Sequence, residues 1–162
     1  MSNVQDSGRK NSSATVLDRL VDMEPGVSRE PLQHGRYDIR QVEAMVIRDI
    51  ENLLNTRRQI LHIPAAYKEL NRSVFMYGLG DFTAQNPKSA AVRRNLRQDI
   101  ERAIATFEPR LKNVSVHIGE ALEGERHLRF RISGLLFVAQ ETLPVSFDTF
   151  FDANKGEYVI EK

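Results

Sequence analysis

The chain changes its apolar period once, near Asn113, and this change constrains the fold more than any other feature. Upstream, apolar side chains recur every three or four residues; downstream they alternate. Ile39, Val42, Val46, Ile50 and Leu53, widened by Ile47 and Leu54, predict a core-facing helix over about 39–58. Asp38 and Gln41 make a capping-box-like pair at its start, and Arg57 and Arg58 fall in its last turn, where cations complement the helix dipole. A second helix fits 89–107, with Val92, Leu96, Ile100, Ala103, Ile104 and Phe107 on one face. Ser89 is its expected cap, Asn86-Pro87 offers a start one turn earlier, and Pro109 closes it. Between them, Leu70 to Phe82 reads as one helical turn followed by a tight loop set by Gly78 and Gly80, with Ser73 as a helix cap.

From Asn113 onward the residues predict strands. Val114, Val116 and Ile118 alternate with Ser115 and His117, then Leu128, Phe130 and Ile132 with Arg129 and Arg131. Val145 and Phe147 follow in the same pattern, and Tyr158 and Ile160 end the series. Asp152 to Gly156 and the charged stretch 119–126 read as hairpin connections. Helices before strands predict an α+β fold, with the helices packed on one face of an antiparallel sheet. Residues 1–14 are too polar to offset their ordering entropy and read as a disordered leader. Residues 15–36 read as an arm and a proline-broken connection, and 37–162 as one domain.

Charge divides along the same line. The formal net charge is only +1, from 23 Lys+Arg and 22 Asp+Glu. Yet 88–112 carries seven cations against three anions, and 119–162 carries eight anions against five cations. Arginine, suited to bidentate pairing with carboxylates, supplies most of the cations. The arginines of the second helix, Arg93, Arg94, Arg97 and Arg102, therefore read as a protein-contact surface before a nucleic-acid one. The chain has no Cys, which excludes a disulfide framework, a thiol nucleophile and a thiolate metal site. No apolar stretch approaches the ~20 residues of a membrane span, so no direct membrane insertion is expected.

Few residues suggest catalysis. His34, His62, His117 and His127 lack metal-ligand spacing, so neither a metal nor a cofactor is expected. Tyr77-Gly78-Leu79-Gly80-Asp81 matches no phosphate-binding pattern and reads as a turn. The prominent feature is Phe107-Glu108-Pro109-Arg110-Leu111, at the helix-to-strand junction. Two readings stay open on spacing alone: a polar docking point for a partner, and an internal salt bridge that locks the turn. A third would make Glu108 a glycosidase acid. That chemistry needs a second carboxylate across a cleft, and a neighbouring guanidinium opposes it by favouring the charged form.

Several segments together resemble a known family. They are Val16-Leu17-Asp18-Arg19-Leu20; Ile47-Arg48-Asp49-Ile50-Glu51-Asn52-Leu53-Leu54-Asn55-Thr56-Arg57-Arg58; Ser73-Val74 with Tyr77-Gly78-Leu79-Gly80-Asp81-Phe82; Phe107 to Leu111; and Phe147-Asp148-Thr149. In order and spacing they resemble the gene-25-like baseplate wedge proteins, and within these the TssE branch of bacterial type VI secretion systems. The family usually carries proline where this chain has Gly80. The resemblance implies a non-enzymatic, cytoplasmic part of a contractile injection machine, recruited to the membrane-associated apparatus. It implies a fold like part of the sheath subunit, and docking through Glu108, Pro109 and Arg110 onto the wedge subunits TssF and TssG of a TssK-containing baseplate. It also implies that sheath subunits TssB and TssC add extended arms to the sheet. Asn55, Thr56, Arg57, Tyr77, Gly78, Asp81 and Phe82 are then structural family positions. The alternatives are a lysozyme-like muramidase and a nucleic-acid-binding module.

Overall fold

The computed structural model describes Thr15 and residues 39–61, 63–82, 85–86, 89–119, 129–138, 141–152 and 156–161. The helices are α1 (Ile39–Asn55), the short α2 (Lys68–Asn71), a 3-10 turn at Val74–Met76, and α3 (Ala90–Phe107). The strands β1 (Leu111–Ile118), β2 (Arg129–Val138), β3 (Glu141–Asp152) and β4 (Glu157–Glu161) follow and pair in chain order as an antiparallel meander. The α+β arrangement is the one expected from the change of period.

The core lies between the two long helices and one sheet face. Val42, Val46, Ile50, Leu53 and Leu54 of α1 and Leu96, Ile100, Ala103 and Ile104 of α3 are buried against Val116, Phe130, Ile132, Leu136, Phe147 and Ile160. Each large side chain so buried contributes about 1.5–3 kcal/mol against the entropy of ordering the chain. The other sheet face carries a charged row: His117 pairs with Arg131, Arg131 with Asp148 and Asp148 with Glu161 across all four strands. On this face the Arg131 guanidinium forks onto both Asp148 oxygens at 2.7 and 2.9 Å. The exposed pair raises the Arg131 pKa and lowers that of Asp148, chiefly through the side-chain hydrogen bonds.

Local boundaries differ from the sequence reading in four places. First, α1 ends at Asn55, so Arg57 and Arg58 lie beyond its last turn. Thr56 folds back to donate from Oγ1 to the Asn52 carbonyl, and Arg57 forms a parallel bridge with Leu79. Tertiary pairing thus ends the helix directly after its apolar stripe, before the two cations expected in its last turn. Second, Ser89 stands at the N-cap of α3 with extended backbone but makes no side-chain capping bond. Third, Ser73 precedes the 3-10 turn and turns its hydroxyl back to the Leu70 carbonyl, 2.8 Å away. Fourth, β1 begins at Leu111, and an extra residue between Lys112 and Ser115 bulges the ladder, with Asn113 in the left-handed region at φ 52°. The expected leader, Asp38, Pro87, Leu128 and the 120–128 and 153–155 portions of the two hairpin connections lie outside the described residues.

Candidate functional site

Three sequence motifs far apart in the chain meet at the junction of α3 and β1. Pro109, held at φ near −65° by its ring, starts a turn closed by the Leu111 N–H on the Glu108 carbonyl at 3.2 Å. Both charged side chains of this turn point inward: Glu108 is 3% and Arg110 9% exposed, whereas Pro109 faces solvent. Arg110 donates from Nε to Glu108 Oε1 at 2.7 Å and from Nη2 to Oε2 at 2.6 Å, and its own N–H also reaches Oε1 at 3.1 Å. Nη2 further holds Asp49 Oδ2 of α1 at 2.5 Å, while Arg48 grips the other Asp49 oxygen at 2.8 Å. The result is a neutral chain of two guanidiniums and two carboxylates, buried at the Glu108 end and opening to solvent at Arg48. Bidentate, charge-assisted pairing of this kind offsets desolvation only when every donor and acceptor is well placed. Hydrogen bonds to both carboxylates outweigh burial and push the Arg110 pKa still higher, so the guanidinium stays charged.

Tyr77 joins this node from the glycine loop. Its ring meets Phe107 edge-on at 5.2 Å between centroids. Burial first, then the Asp49 and Glu108 carboxylates, raise its phenol above the ordinary tyrosine range. Pairing at Arg110 ties the two ends of the turn together, and it is the internal salt bridge that was one of the two readings of the motif. The charges are therefore consumed within the chain, and what the turn presents outward is Pro109, with the half-exposed ring of Phe137 on the strand whose N–H binds the Arg110 carbonyl at 2.9 Å.

The remaining motif residues form a second node. The Leu79 N–H donates to the Thr56 carbonyl at 2.9 Å and the Arg58 N–H to the Leu79 carbonyl at 2.7 Å, so the Asn55-Thr56-Arg57-Arg58 segment and the glycine loop hold each other as a two-stranded clip. Gly78 has φ +101°, and a Cβ there would overlap the Thr56 carbonyl oxygen. Arg57 pairs with Asp81 at 3.3 Å, and Arg58 with buried Asp99 of α3 at 2.9 Å. The second oxygen of Asp99 accepts the Gly80 N–H at 2.8 Å. Proline, the residue the family resemblance leads one to expect at this position, has no N–H, so glycine here adds a bond between loop and helix. Phe82 packs against the core, and Asn55 turns toward β4.

Asp49 and Asp99 carry these nodes, yet no role was read for either from sequence. Asp99 left a signal: it falls on the apolar stripe between Leu96 and Ala103, where an acid needs a partner. Asp49 left none, because nothing local marks a partner 61 residues away. The arginines of α3 do not converge on a pocket. Arg94, Arg97 and Arg102 are exposed and Arg93 is half-buried, with Arg97 Nε 4.0 Å from Glu101 Oε1. His117 is exposed on β1, and the other histidines lie outside the described residues. Among the described residues no group of His, Asp or Glu is placed to hold a metal ion, and no helix is long and apolar enough to cross a membrane.

Residues 40–141, well over half of the chain, match the family described as Baseplate wedge protein gp25. The chain belongs to this family. All but the first residue of α1, with the glycine loop, α3, the Glu108–Arg110 turn and the first two strands, falls inside the matched span, and so do the residues of both nodes. Among solved structures, a chain of "The baseplate complex from the type VI secretion system" is similar with a TM-score of 0.51 and 19% identity, covering 74% of this chain and 95% of that one. At that identity the likeness is one of fold. No curated protein matches the sequence.

Proposed function

We propose that this gp25-family chain is a non-enzymatic structural component of a type VI secretion baseplate, joining the wedge to the first ring of the contractile sheath. The observation that carries this reading is the family match over 40–141, and the fold shared with a chain of a type VI baseplate complex supports it. In this proposal the turn at Glu108, Pro109 and Arg110 docks onto TssF and TssG within a TssK-containing baseplate, and TssB and TssC join at the sheet, with no nucleic acid involved. The protein works in the cytoplasm, recruited to the membrane-associated apparatus. In this reading Glu108 and Arg110 hold the turn from inside and Pro109 meets the partner, which the burial and mutual pairing of the two charged side chains and the exposure of Pro109 support. A muramidase reading is disfavoured because both Glu108 oxygens are engaged by Arg110, leaving neither to deliver a proton to a leaving group.

The test separates docking from folding by changing the exposed residue. Pro109→Glu should leave a cooperatively folded chain yet abolish co-purification with TssF and TssG. Undiminished co-purification would sink the docking assignment. Peptidoglycan release that depends on Glu108 would instead establish an enzyme.

A further inference from the structure

Side-chain bonds tie both edges of the sheet to the helices. On β4, Asn55 donates from Nδ2 to the Tyr158 carbonyl at 2.9 Å and accepts its N–H on Oδ1 at 2.7 Å, and Glu51 accepts the Ile160 N–H at 2.9 Å. On β1, Glu101 accepts the Val116 N–H at 2.9 Å. Beside the β4 tie the layers do not close. A cavity of about 360 Å³ opens there between the end of α1, the glycine loop, the first turns of α3 and the place where β3 passes to β4. Leu54, Leu79 and Leu96, three buried residues of the core, form part of its wall, with half-buried Phe82, Val92 and Tyr158 around them.

Arg93 lines the same cavity. It is half-buried, and among the described residues its guanidinium has no carboxylate or other hydrogen-bond partner. The cost of withdrawing a cation from water beside apolar side chains is offset when an acid sits next to it. The cavity thus specifies its occupant in two respects: bulky apolar side chains for the wall, and a carboxylate adjoining them for Arg93.

The chain itself holds such a segment. Val16, Leu17, Leu20 and Val21 place four large apolar side chains within six residues, spaced so that one face of a helical turn carries them all, and Asp18 adjoins Leu17. No other stretch outside the described residues has four within six. Thr15, directly before it, is half-buried and makes a polar contact. Residues 22–38 separate the segment from α1 and can extend to about 60 Å. From Ile39 to the cavity at Asn55, α1 runs only about 25 Å, so the connection is long enough to return along the helix.

We infer that the arm, residues 16–21, docks in this cavity of its own chain, with Leu17 and Leu20 against the apolar wall and the Asp18 carboxylate on Arg93. The segment has no part in the Glu108–Arg110 turn; its work is to brace the clip of Thr56 and Leu79 against β4. The inference is independent of the adaptor reading, since it needs no second protein.

Methyl- and amide-resolved NMR of the full chain tests it. Cross-relaxation should join the Leu17 and Leu20 methyls to those of Val92 and Leu96 and to the Phe82 ring, at an intensity unchanged by dilution. The amides of 17–21 should exchange on the order of tenfold more slowly than those of residues 3–8. Arg93→Glu and Asp18→Arg should each weaken both signals several-fold, and the double variant should restore them, which damage to the fold would not do. Leu17→Asp should erase them while the sheet amides keep their protection. Arm amides that exchange as fast as those of residues 3–8, without cross-relaxation to the cavity, overturn the inference, and a double variant no better than the single ones overturns the pairing of Asp18 with Arg93. Contacts that fade on dilution also overturn it, by assigning the arm to a second copy. So do cavity methyls that shift only when TssF and TssG are added, which would assign the cavity to a wedge subunit.

Discussion

Arg110 reaches across 61 residues of sequence to Asp49, and the 2.5 Å contact ties the α3–β1 turn to the middle of α1. Because the same guanidinium forks onto Glu108, the turn, the first helix and the first strand share one electrostatic anchor. Removing one carboxylate takes a charge-assisted partner from a guanidinium buried out of reach of bulk water. Glu108→Gln should therefore destabilise the fold by about 3–5 kcal/mol, and Asp49→Asn by only about 1–2 kcal/mol because that end is wetter and shares its load with Arg48. Arg110→Lys should fall nearer the first value, since a single ammonium cannot fork onto both carboxylates. Urea titrations of the three variants give the ordering.

Among the described residues two glycines have positive φ, and they should respond unequally to alanine. At Gly156 (φ +71°) nothing lies within 4 Å of a new Cβ, so Gly156→Ala should cost only the left-handed backbone, about 1–2 kcal/mol. Gly78→Ala adds a collision with the Thr56 carbonyl to a strained φ of +101°, and relieving it means opening the clip. The expectation is a loss above about 3 kcal/mol, read as a much lower melting temperature or as failure to accumulate folded protein.

Thr149 is 2% exposed, and its hydroxyl has no hydrogen-bond partner among the described residues. A buried hydroxyl without a partner costs its desolvation, so the near-isosteric Thr149→Val should be neutral or stabilise by up to about 1 kcal/mol. Differential scanning calorimetry decides, and a clear loss of stability would mean that the hydroxyl is bound in solution.

Burial raises the Tyr158 phenol above its ordinary value in the unfolded chain. The folded state therefore retains the proton longer than the unfolded one, and this contribution to stability is complete below about pH 10 and lost as pH climbs through the folded value. Tyr158→Phe cannot ionise, and it leaves the backbone bonds to Asn55 in place. Its urea midpoint should fall less steeply than that of the unaltered chain between pH 9 and 11, and parallel decline would refute the linkage.

Periodicity alone announced the two long helices and the sheet, because burial of one face imposes 3.6 or 2 on the apolar residues wherever the chain runs. It placed Val42, Val46, Ile50, Leu96, Ile100 and Ile104 on the core side, where they are found. It misjudged the end of α1, since a helix that stops because Arg57 bridges Leu79 carries no local stop signal. The Glu108–Arg110 turn was visible as a motif, but its two meanings were not separable: spacing shows that the charges are neighbours and not whether they face water.

Linear order was enough for the fold class, the apolar faces and the motifs by which the family is known, all of which depend on neighbours within one or two turns. The partner of Arg110 on α1, the need for glycine at 78 against Thr56, and the contrast between a β4 edge sealed by Asn55 and Glu51 and a β1 edge held by Glu101 became definite only when distant segments met. Hydrogen bonds and ion pairs act over about 3 Å, and residues 15 to 109 positions apart come within that range through packing, so local pattern carries no record of them.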